Sequence, residues 1–580
     1  MPKIVSVEEM IAIEKAADAA GHSYAAMMQA AGAALAERIL ARIVEYGGSA
    51  RVFILAGPGN NGGDGLVAGR LVKEAAPDAE VTAYCLAPRP EDDDIAAAAR
   101  EAGVFMVDYA NDKQNRVLKN SLSAAHVLVD ALFGTGTHLP LEGDAAKLLK
   151  AVAGVVERRA ADYPRALATS PTGQQSAFIE TEEPARPFII AVDCPSGLNC
   201  DTGDVDKLTL RADETVTFAA AKYGQLAFPG AAYCGDLFLA EIGIAPEQDE
   251  LAAVQTALSD GASVGALLPE RDANAHKGTF GKVFQVTGSA NYVGASALAA
   301  EAAYAVGTGL VTVGVPQPLI APLASQVLEA TWVLLPHDLG VINKAAAQVV
   351  REECAGYDAL LVGCGIGDED ETRDFMQALL QQSQEATRKP AARRIGLLRT
   401  AVEEEDEGTE ETAEGGLPPL VIDADGLNVL AKLDGWPALL PPETIITPHP
   451  GEFARLAGLE SAAEVQVARL ALAREKAAQW NCIIVLKGAH TAVAAPDGRV
   501  TISPFAVARL ATAGTGDVLA GVISGLLAGG LDPYDAAVAG VWLHGRAGAP
   551  YSNLEAPVML ARDLLWRLPD ALLSAYDAAH

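Results

Sequence analysis

Residues 509–521 read RLATAGTGDVLAG, a glycine turn that leads into an apolar, helix-forming run from Val518. The small residues at 514–516 leave the first backbone N–H groups of that helix exposed. Together with the positive end of the helix dipole, these donors form a site for a phosphate group. Asp517 lies in the first turn of the helix, where it can accept a proton from a hydroxyl group, hold a metal ion, or only cap the helix.

A second glycine turn follows the first predicted strand. The apolar run at 51–56 ends in residues 57–65, GPGNNGGDG, and a helix is expected from Leu66. A strand, a glycine-rich turn and a helix form a common layout for binding a phosphate or a dinucleotide. The turn is neither G-x-G-x-x-G nor a P-loop, because no Gly-Lys-Ser/Thr follows. Its two asparagines and one aspartate favour a binding site over a plain turn.

Further apolar strands of the first half end in polar residues. Asp130 ends the strand predicted at 126–130, and Asp193 ends the strand predicted at 188–193, with Ser196 in the next turn. Each aspartate alone is more often a loop cap. Because ligands bind at the carboxyl ends of strands in open α/β sheets, several such ends together predict a binding site.

The second half shows the same pattern. Lys487 follows a buried strand and precedes a glycine, where it can approach phosphates or simply be a solvated strand end. Glu452 can help to hold Mg²⁺ through water, or can cap a helix, and His449 can contact a substrate. Strands that alternate with helices in both halves predict an α/β fold with parallel sheets.

The composition excludes several classes of protein. The chain has 580 residues and a net charge of −32, which argues against broad nucleic-acid or anionic-membrane surfaces. Its seven cysteines are scattered with no C-x-x-C pair, as expected for a reduced compartment. The start of the chain has no apolar signal core, and no apolar run reaches transmembrane length. We therefore expect a cytoplasmic protein.

The chain is predicted to contain two domains. We place a first domain at 1–245, a linker at 246–265 and a second domain at 266–580. The polar segment at 165–186 is expected to be a loop insertion. The acidic, low-complexity segment at 383–416 is expected to be a disordered insertion, so that its removal should leave activity intact.

The second half resembles a known family. Its motifs TPHPGEFARL at 447–456, LKGAHT at 486–491 and AGTGDVLAG at 513–521 are similar to the C-terminal dehydratase domain of bifunctional NAD(P)H-hydrate repair enzymes. That domain is ribokinase-like. The resemblance therefore implies a ribokinase-like α/β domain at this end of the chain.

The first half resembles the matching epimerase domain of the same family. The similar motifs are GPGNNGGDGLVAGRL at 57–71, VDALFGTG at 129–136 and VDCPSG at 192–197. That domain implies a Rossmann-like, three-layer fold. The resemblance covers nearly the whole chain outside the two insertions, and both domains occur in the family order.

The resemblance implies a substrate, two reactions and two kinds of cofactor. The substrate would be hydrated NADH or NADPH, which carries a hydroxyl group on the reduced nicotinamide ring. The first domain would interconvert the R and S hydrates with a bound K⁺. The second would dehydrate the S hydrate with ADP or ATP and Mg²⁺. A phosphate ester leaves more easily than hydroxide, so Asp517 would take the hydroxyl proton while glycine N–H groups and Mg²⁺ stabilise the phosphate.

The resemblance also implies site residues. In the first domain, Asp193 would be catalytic, K⁺ would be bound by Asn61, Asp130 and Ser196, and the hydrate would contact Asn60, Asn61, Gly62, Gly63, Asp64, Gly134, Thr135, Gly136, Thr137, His138, Leu139, Pro140 and Asp193. In the second domain, Asp517 would be catalytic, the hydrate would contact Ala295, Gly367, His449 and Asp517, and the nucleotide would contact Lys487, Gly488, Ala489, His490, Thr491 and Gly516.

The sequence departs from the family at two positions. Cys364 stands where proline is usual, and Cys194 stands where isoleucine is usual. Both positions adjoin functional residues, and neither change removes a ligand.

Two other functions remain open from the sequence. One is a ribokinase-like small-molecule kinase, whose helix would begin with the same Gly-x-Gly-Asp. The other treats the first domain as a binding module only, although its retained Asn61, Asp130, Asp193 and Ser196 argue against that. A homo-oligomer is expected in either case.

Overall fold

The computed structural model describes residues 1–44, 46, 50–162, 186–269, 274–381, 416–552 and 558–580. The chain divides into two compact units, an N-terminal unit of residues 2–254 and a C-terminal unit of residue 1 with residues 255–580. Apart from Arg186 and Gly416, the insertions predicted at 165–186 and 383–416 lie outside the described residues. Within the described part, no helix combines the length and the apolar character needed to cross a membrane.

The N-terminal unit alternates strands and helices. Its strands are β1 Ile4–Val5, β2 Arg51–Ala56, β3 Glu80–Cys85, β4 Phe105–Asp108, β5 Val127–Ala131, β6 Phe188–Val192, β7 Glu214–Phe218, β8 Ala221–Lys222 and β9 Asp236–Ala240. Its helices are α1 Val7–Ala19, α2 Tyr24–Ile43, α3 Asn60–Ala75, α4 Asp94–Glu101, α5 Arg116–Ala124, α6 Gly143–Asp162, α7 Tyr223–Leu226, α8 Ala231–Cys234 and α9 Asp249–Ala252.

Seven of these strands form one parallel sheet in the order β4-β3-β2-β5-β6-β7-β9. Successive residues of β2 point to opposite faces, so that Ile54 packs with α2 and α3 while Leu55 packs with α5 and α6. A sheet covered on both faces by helices is the three-layer α/β arrangement that the sequence predicts. The strand order changes direction between β2 and β5, which is where ligands bind in such sheets.

The C-terminal unit is larger. Its strands are β10 Thr256–Leu258, β11 Lys282–Val286, β12 Leu310–Pro316, β13 Thr331–Leu335, β14 His337–Asp338, β15 Val341–Ile342, β16 Ala359–Val362, β17 Leu420–Ile422, β18 Ile445–Ile446, β19 Ile483–Leu486, β20 Ala492–Ala494 and β21 Val500–Ile502. Its helices are α10 Gly261–Leu267, α11 Val293–Ala305, α12 Gln317–Ala324, α13 Ala346–Glu353, α14 Asp370–Gln381, α15 Asp425–Leu430, α16 Pro450–Ala457, α17 Ala462–Val467, α18 Arg469–Trp480, α19 Thr515–Ala528, α20 Pro533–Gly548 and α21 Ala561–Ala579.

Ten strands of this unit form a sheet in the order β10-β21-β20-β19-β18-β17-β16-β11-β12-β13. The strands from β19 to β13 are parallel, whereas β20 pairs antiparallel with both β19 and β21. The prediction of a parallel sheet is therefore wrong at this edge. The connections at 487–491 and 495–499 are too short for a parallel crossover, so the chain must turn back on itself.

The segment at 246–265, expected to be a linker, contains regular structure. Its strand β10 pairs with β21, with Thr256 opposite Val500, and so belongs to the C-terminal sheet. The division between the two units falls inside this segment, after Val254.

Candidate active sites

The first candidate site lies in the N-terminal unit, at the carboxyl ends of β2, β5 and β6, which are neighbours in the sheet. Helix α3 begins at Asn60, directly after the glycine turn that follows β2. A Cβ atom added to Gly57 would overlap the carbonyl oxygen of Leu132, and one added to Gly62 would overlap the carbonyl oxygen of Gly57. The glycines therefore allow the turn to pack against the loop after β5, which brings α3 to the end of the neighbouring strand.

Asp130 and Ser196 form a buried pair at these strand ends. The Ser196 hydroxyl donates to Oδ1 of Asp130 at 2.6 Å, and the Ser196 backbone N–H donates to Oδ2 at 2.9 Å. Burial raises the pKa of Asp130, and the hydrogen bonds from Ser196 offset part of that effect. No basic side chain of the described residues contributes to this balance. A bound cation would supply the missing positive charge.

Asp193 is held by a lysine that the sequence analysis did not select. Nζ of Lys222 lies 2.5 Å from Oδ1 of Asp193 and also donates to Thr217 Oγ1 at 2.9 Å. The Gln225 side chain donates to the Asp193 carbonyl oxygen at 2.6 Å. The one visible signal was a lysine directly after the small apolar residues of 219–221, a poor position for a charge without a partner.

Two further carboxyl groups, those of Asp64 and Glu14, and the amide of Asn61 lie near this pair. A Cβ atom added to Gly134 would lie 3.3 Å from Asn61 Oδ1 and 3.5 Å from Asp193 Oδ2, so these residues meet at one point. Burial raises the pKa of Asp64 well above its usual value, and the carboxylates of Asp193 and Glu14 raise it further. Burial also raises the pKa of Glu14. Sequence reasoning missed Glu14 because a glutamate on an amphipathic helix carries no separate signal.

The remaining predicted contacts of this unit lie around the same point. The residues at 60–64 form the first turn of α3, and Gly134 begins the loop that follows β5. Residues 135–140 continue that loop away from Gly134 and are half-buried or exposed. The structure thus brings Asn61, Gly134 and Asp193 together and leaves 135–140 as the rim.

The second candidate site lies in the C-terminal unit, at the ends of the adjacent strands β16 to β19. Asp423 follows β17 and is almost fully buried. Nζ of Lys487, after β19, lies 2.7 Å from Oδ1 of Asp423, and the Thr447 hydroxyl donates to the same oxygen at 2.6 Å. Asp423 was not selected from the sequence, although it ends a predicted strand just as Asp130 and Asp193 do.

Asp517 completes this cluster. One ligand atom from each of Cys364, Asp423 and Asp517 lies within 4.8 Å of the others. Burial and the carboxylate of Asp423 raise the pKa of Asp517 to about 6, against the opposing effects of the Cys364 thiol and Lys487. Helix α19 begins after Gly514, which has a φ of +92° and offers no side-chain cap. Asp517 is therefore a half-buried, weakly acidic carboxyl group beside an uncapped helix start and not the helix cap itself.

Gly516 lies between Asp517 and the lysine. A Cβ atom added there would lie 3.5 Å from Nζ of Lys487 and 3.6 Å from Oδ2 of Asp423. The first turn of α19, the ion pair and Asp517 therefore share one space. Under this helix start, the ring of His544 hydrogen-bonds the Thr515 carbonyl oxygen at 2.9 Å, and burial lowers the pKa of His544 to about 4. His544, which supports the start of α19 in this way, was not selected from the sequence either.

His449 and Glu452 together form a helix cap, which was the structural alternative for Glu452. Nδ1 of His449 accepts from the Gly451 N–H at 3.0 Å, and Oε2 of Glu452 accepts from the His449 N–H at 2.7 Å. The same Oε2 lies 3.9 Å from Nζ of Lys487, so the cap also borders the site. Burial raises the pKa of Glu452 to about 7, although Lys487 opposes the shift, and burial lowers the pKa of His449.

Two loops complete the border. A Cβ atom added to Gly365 would lie 2.9 Å from the Cβ of Ala295, so the start of α11 packs on the glycine turn after β16. The Gly367 N–H, in the same turn, donates to Oδ2 of Asp425 at 3.0 Å. Ala295 and Gly367 therefore belong to one edge of the site.

The other loop joins β19 to β20. The Thr491 hydroxyl donates to the Gly488 carbonyl oxygen at 2.9 Å, and Nδ1 of His490 lies 3.1 Å from the Ser503 carbonyl oxygen. Gly488 and Ala489 are exposed. The predicted nucleotide contacts at 487–491 thus form an ordered turn whose backbone is accessible to a ligand.

Two family models match the chain. The model described as NAD(P)H-hydrate dehydratase matches residues 283–386 and 403–570, and the model described as YjeF-related protein N-terminus matches residues 24–224. These ranges fall in the C-terminal and the N-terminal unit respectively.

Named relatives match nearly the whole chain. The bifunctional NAD(P)H-hydrate repair enzyme Nnr of Moorella thermoacetica is 35% identical over 559 residues, which cover 94% of this chain and 92% of the relative. The enzyme of the same name from Thermofilum pendens is 32% identical, with coverages of 94% and 91%. Among solved structures, the ADP/ATP-dependent NAD(P)H-hydrate dehydratase of Bacillus subtilis, crystallised with ATP and Mg²⁺, is 29% identical with a TM-score of 0.42, covering 55% of this chain and 98% of that one.

Proposed function

The chain belongs to the family of bifunctional NAD(P)H-hydrate repair enzymes, and from that premise we propose which residues carry its two reactions. It is an enzyme that repairs hydrated NADH and NADPH. The N-terminal unit epimerises the R and S hydrates. The C-terminal unit dehydrates the S hydrate to NADH or NADPH at the expense of ADP or ATP.

Dehydration is assigned to the space between Asp517 and the start of α19, and the position of that half-buried carboxyl group carries the proposal. The N–H groups after Gly514 bind the terminal phosphate of the nucleotide, as uncapped helix starts do. Asp517 accepts the proton of the hydrate hydroxyl, whose oxygen attacks that phosphorus and releases AMP from ADP. The ring then loses the phosphate and a proton from the adjacent carbon, which re-forms the double bond. The balance is hydrate plus ADP to NAD(P)H, AMP and phosphate.

Mg²⁺ fits this site through Glu452 and not through the Cys364 cluster. Mg²⁺ requires oxygen ligands and keeps several waters, so a thiol is a poor partner for it. Glu452 offers a buried carboxyl group at the border of the site, 3.9 Å from Nζ of Lys487. The ion, when bound, neutralises phosphate charge. Glu452 would hold it through water, and Lys487 would approach the phosphates from beside Gly516.

Epimerisation is assigned to the point where Asn61, Gly134 and Asp193 meet. Inversion at a carbon that carries a hydroxyl group needs a bond to that carbon to break and re-form, with proton transfer to the departing group. Asp193, fixed by Lys222, is the proton acceptor. Asp64, whose pKa burial and the neighbouring carboxylate of Asp193 raise, is the partner that we assign to proton donation.

We infer that K⁺ binds beside this point, on Asp130, Ser196 and Asn61. Two observations support the fit. Asp130 is buried without a basic partner among the described residues, and the Asn61 side-chain Nδ2 is buried with no hydrogen-bond partner. Turning the Asn61 side-chain amide by half a turn exchanges the positions of its oxygen and nitrogen, which directs the oxygen toward a cation. These are all oxygen ligands, as a hard cation prefers.

The K⁺ assignment is tested by Asp130→Ala. We expect epimerisation to fall at least about tenfold, with partial recovery as KCl replaces NaCl at constant ionic strength, because even the outer-shell partners of a cation site commonly change affinity or activity by about 10- to 100-fold. Asp206→Ala, which removes another buried carboxylate of the same unit, is the control. An Asp130→Ala enzyme whose K⁺ dependence equals that of the wild type would contradict the assignment.

The whole function is tested with a mixture of R and S hydrates, ADP and ATP being supplied in parallel. Recovery of the reduced-nicotinamide absorbance should run to completion, because the R form is converted as the S form is consumed. A stable phosphorylated product without such recovery would instead indicate the small-molecule kinase, which the full-length relatives do not favour. Recovery that stops at the S fraction would indicate an N-terminal unit that only binds.

We also infer a cytoplasmic enzyme that assembles as a homo-oligomer. The location is supported by the seven cysteines, all of which are buried and reduced. Light scattering of the purified protein tests the assembly, and a monomer at micromolar concentration would contradict it.

A further inference from the structure

Arg469 lies beside the turn at 487–491 that we assign to the nucleotide. Its Nη2 donates to the Leu486 carbonyl oxygen at 2.5 Å, and its Nη1 occupies the space that a Cβ atom on Gly488 would need. It also shifts the pKa of His490 downward, behind the larger effect of burial. The guanidinium group is therefore packed directly against the accessible backbone of this turn.

This guanidinium group has almost no partner of its own. Its Nε is buried with no hydrogen bond, and the contact of Nη1 with Gln466 Oε1 is long, at 3.4 Å. No carboxylate of the described residues forms an ion pair with Arg469, and burial lowers its pKa to about 10, so that it is still charged at neutral pH. A largely buried charge without a counter-charge is costly. Such a cost indicates a role that the unliganded chain does not satisfy.

Helix stability does not account for Arg469. It is the first residue of α18, where the helix dipole is positive and a basic side chain is unfavourable. Arg474, one turn further along the same helix, shows the contrasting case. Its Nε donates to the Gly498 carbonyl oxygen at 3.0 Å and its Nη2 to Thr256 Oγ1 at 2.6 Å, so Arg474 is satisfied within the fold.

The charge balance of the site shows what Arg469 would bind. Asp423, Glu452 and Asp517 bring three carboxyl groups, and Nζ of Lys487 is already 2.7 Å from Asp423. A nucleoside diphosphate or triphosphate adds several negative charges to this acidic surrounding. The planar guanidinium group presents paired N–H donors that match phosphate oxygens, which a point charge does not.

We propose that Arg469 binds the phosphate groups of ADP or ATP and so determines the nucleotide affinity of the C-terminal unit. This inference rests on the proposed nucleotide role of residues 487–491. In the liganded enzyme, the N–H groups of Nη1 donate to phosphate oxygens while Nη2 keeps its bond to Leu486. Arg469 thus recognises the charged part of the nucleotide and leaves the nucleoside to other contacts.

The test compares Arg469→Gln, Arg469→Lys and the control Arg474→Gln in the full-length enzyme. Calorimetry measures the binding of ADP and of adenosine, and steady-state kinetics measure KM for ADP and for the hydrate. We expect Arg469→Gln to weaken ADP binding by about tenfold to a hundredfold and adenosine binding by less than about twofold, because only a phosphate loses its charge-assisted bonds. KM for the hydrate and the epimerase rate should not change. Arg474→Gln should leave ADP affinity within about twofold.

Two results would overturn the inference: an ADP affinity unchanged in Arg469→Gln, or equal losses for ADP and adenosine, which would mark a structural role. If Arg469→Gln does not fold, Arg469→Lys tests the inference, because lysine keeps the positive charge and lacks the paired N–H donors of the guanidinium group. It should bind ADP at least about threefold more weakly with adenosine unchanged, and an unaltered ADP affinity would again overturn the inference. A wild-type enzyme that dehydrates no hydrate with any nucleotide would contradict the proposed function instead, whatever the variants do.

Discussion

Each unit sets an aspartate against a lysine at the carboxyl end of its sheet, but the two pairs face their sites in opposite directions. In the N-terminal unit Lys222 is 1% exposed and Asp193 is 14% exposed. In the C-terminal unit Lys487 is 19% exposed and Asp423 is 1% exposed. The first pair thus presents a carboxylate to a ligand and the second presents an ammonium group. The first suits proton exchange with a hydroxyl group, and the second suits a phosphate.

The orientation of the second pair has a consequence for its base. Because Asp423 is buried beneath Lys487, a separate carboxyl group must accept the hydroxyl proton. Asp517 is placed to do so, and among the described residues no basic side chain forms an ion pair with it. Its pKa of about 6 follows from burial and from the neighbouring charge of Asp423. In the N-terminal unit, by contrast, the carboxylate of the pair is itself the more exposed group, and we propose that it meets the ligand.

The largest expected effect separates the two units. Asp517→Asn should lower the rate of dehydration by about a hundredfold to ten-thousandfold, because it removes a general base with little change in size. Epimerisation should proceed at the wild-type rate. The readout is the recovery of reduced-nicotinamide absorbance from the S hydrate. Asp563→Asn is the control, since Asp563 holds the same third position in α21 without any place in the site.

Near wild-type dehydration by Asp517→Asn would mean that Asp517 has only a structural role. The C-terminal unit would then have no identified general base, and the comparison of the two aspartate–lysine pairs would not explain its reaction.

The next effect concerns the buried lysine. Lys222→Met leaves Asp193 without its ammonium partner, and breaking a buried pair in this way costs about 3–5 kcal/mol of unfolding free energy. Epimerisation should fall about a hundredfold. The double variant Lys222→Met/Asp193→Asn should regain much of the stability but not the activity. Circular dichroism in urea follows both units, whereas tryptophan fluorescence follows only the C-terminal unit, because all five tryptophans lie there.

The control is the tryptophan signal itself, which should have the same midpoint in the wild type, in Lys222→Met and in the double variant. A double variant as unstable as Lys222→Met would contradict a pairwise role for Lys222 and Asp193.

A smaller effect is the pH dependence of dehydration. Asp517 must be deprotonated to accept a proton, so with a pKa near 6 the rate should be level above about pH 7 and fall as pH decreases through 6. Well below the pKa, the fall approaches tenfold per pH unit. The rate is measured at saturating ADP and hydrate. Glu452→Gln separates the two candidate groups, because a midpoint near 7 that disappears in this variant would assign the titration to Glu452 instead.

The smallest expected effect concerns the Cys364 thiol, which lies beside Asp517 and Asp423. Hydrogen bonding from Cys364 lowers the pKa of Asp517, so Cys364→Ala should move the acid limb to higher pH. A thiol is a weak donor, and the loss at pH 6 should be less than about threefold, with no loss at pH 8. Cys354→Ala removes a buried cysteine elsewhere in the same unit and serves as the control. An equal loss at both pH values would show that Cys364 acts through packing.

Much of the first site followed from local sequence. The strand at 51–56 is confirmed as β2, and Asp130 and Asp193 stand at strand ends as expected. The helix expected from Leu66 instead begins at Asn60, so residues 60–65 belong to the helix and only 57–59 form the turn. These features depend on short-range patterns: apolar runs, glycines that permit close approach, and a polar residue where a strand leaves the core. Asp423 carried the same signal and was overlooked.

Other features could not be read from any local pattern. Lys222 and Asp193 are 29 positions apart, and Lys487 and Asp423 are 64 apart, so their pairing depends on which strands become neighbours. The antiparallel edge formed by β20 and β21 likewise follows from short connections within the complete sheet. Arg469 looks like any exposed helix residue in the sequence, and only its packing against Gly488 shows a charge with no carboxylate partner among the described residues.

The sequence by itself determined the α/β class, the glycine turns and the resemblance of both halves to one repair family, because periodicity and turn chemistry act over a few residues. Only the tertiary structure decided which member of each aspartate–lysine pair is buried and which faces the ligand. Burial depends on the layers that close over a strand end, and those layers come from distant parts of the chain. The same closure raises the pKa of Asp517 to about 6, which makes an ordinary helix residue into a candidate base.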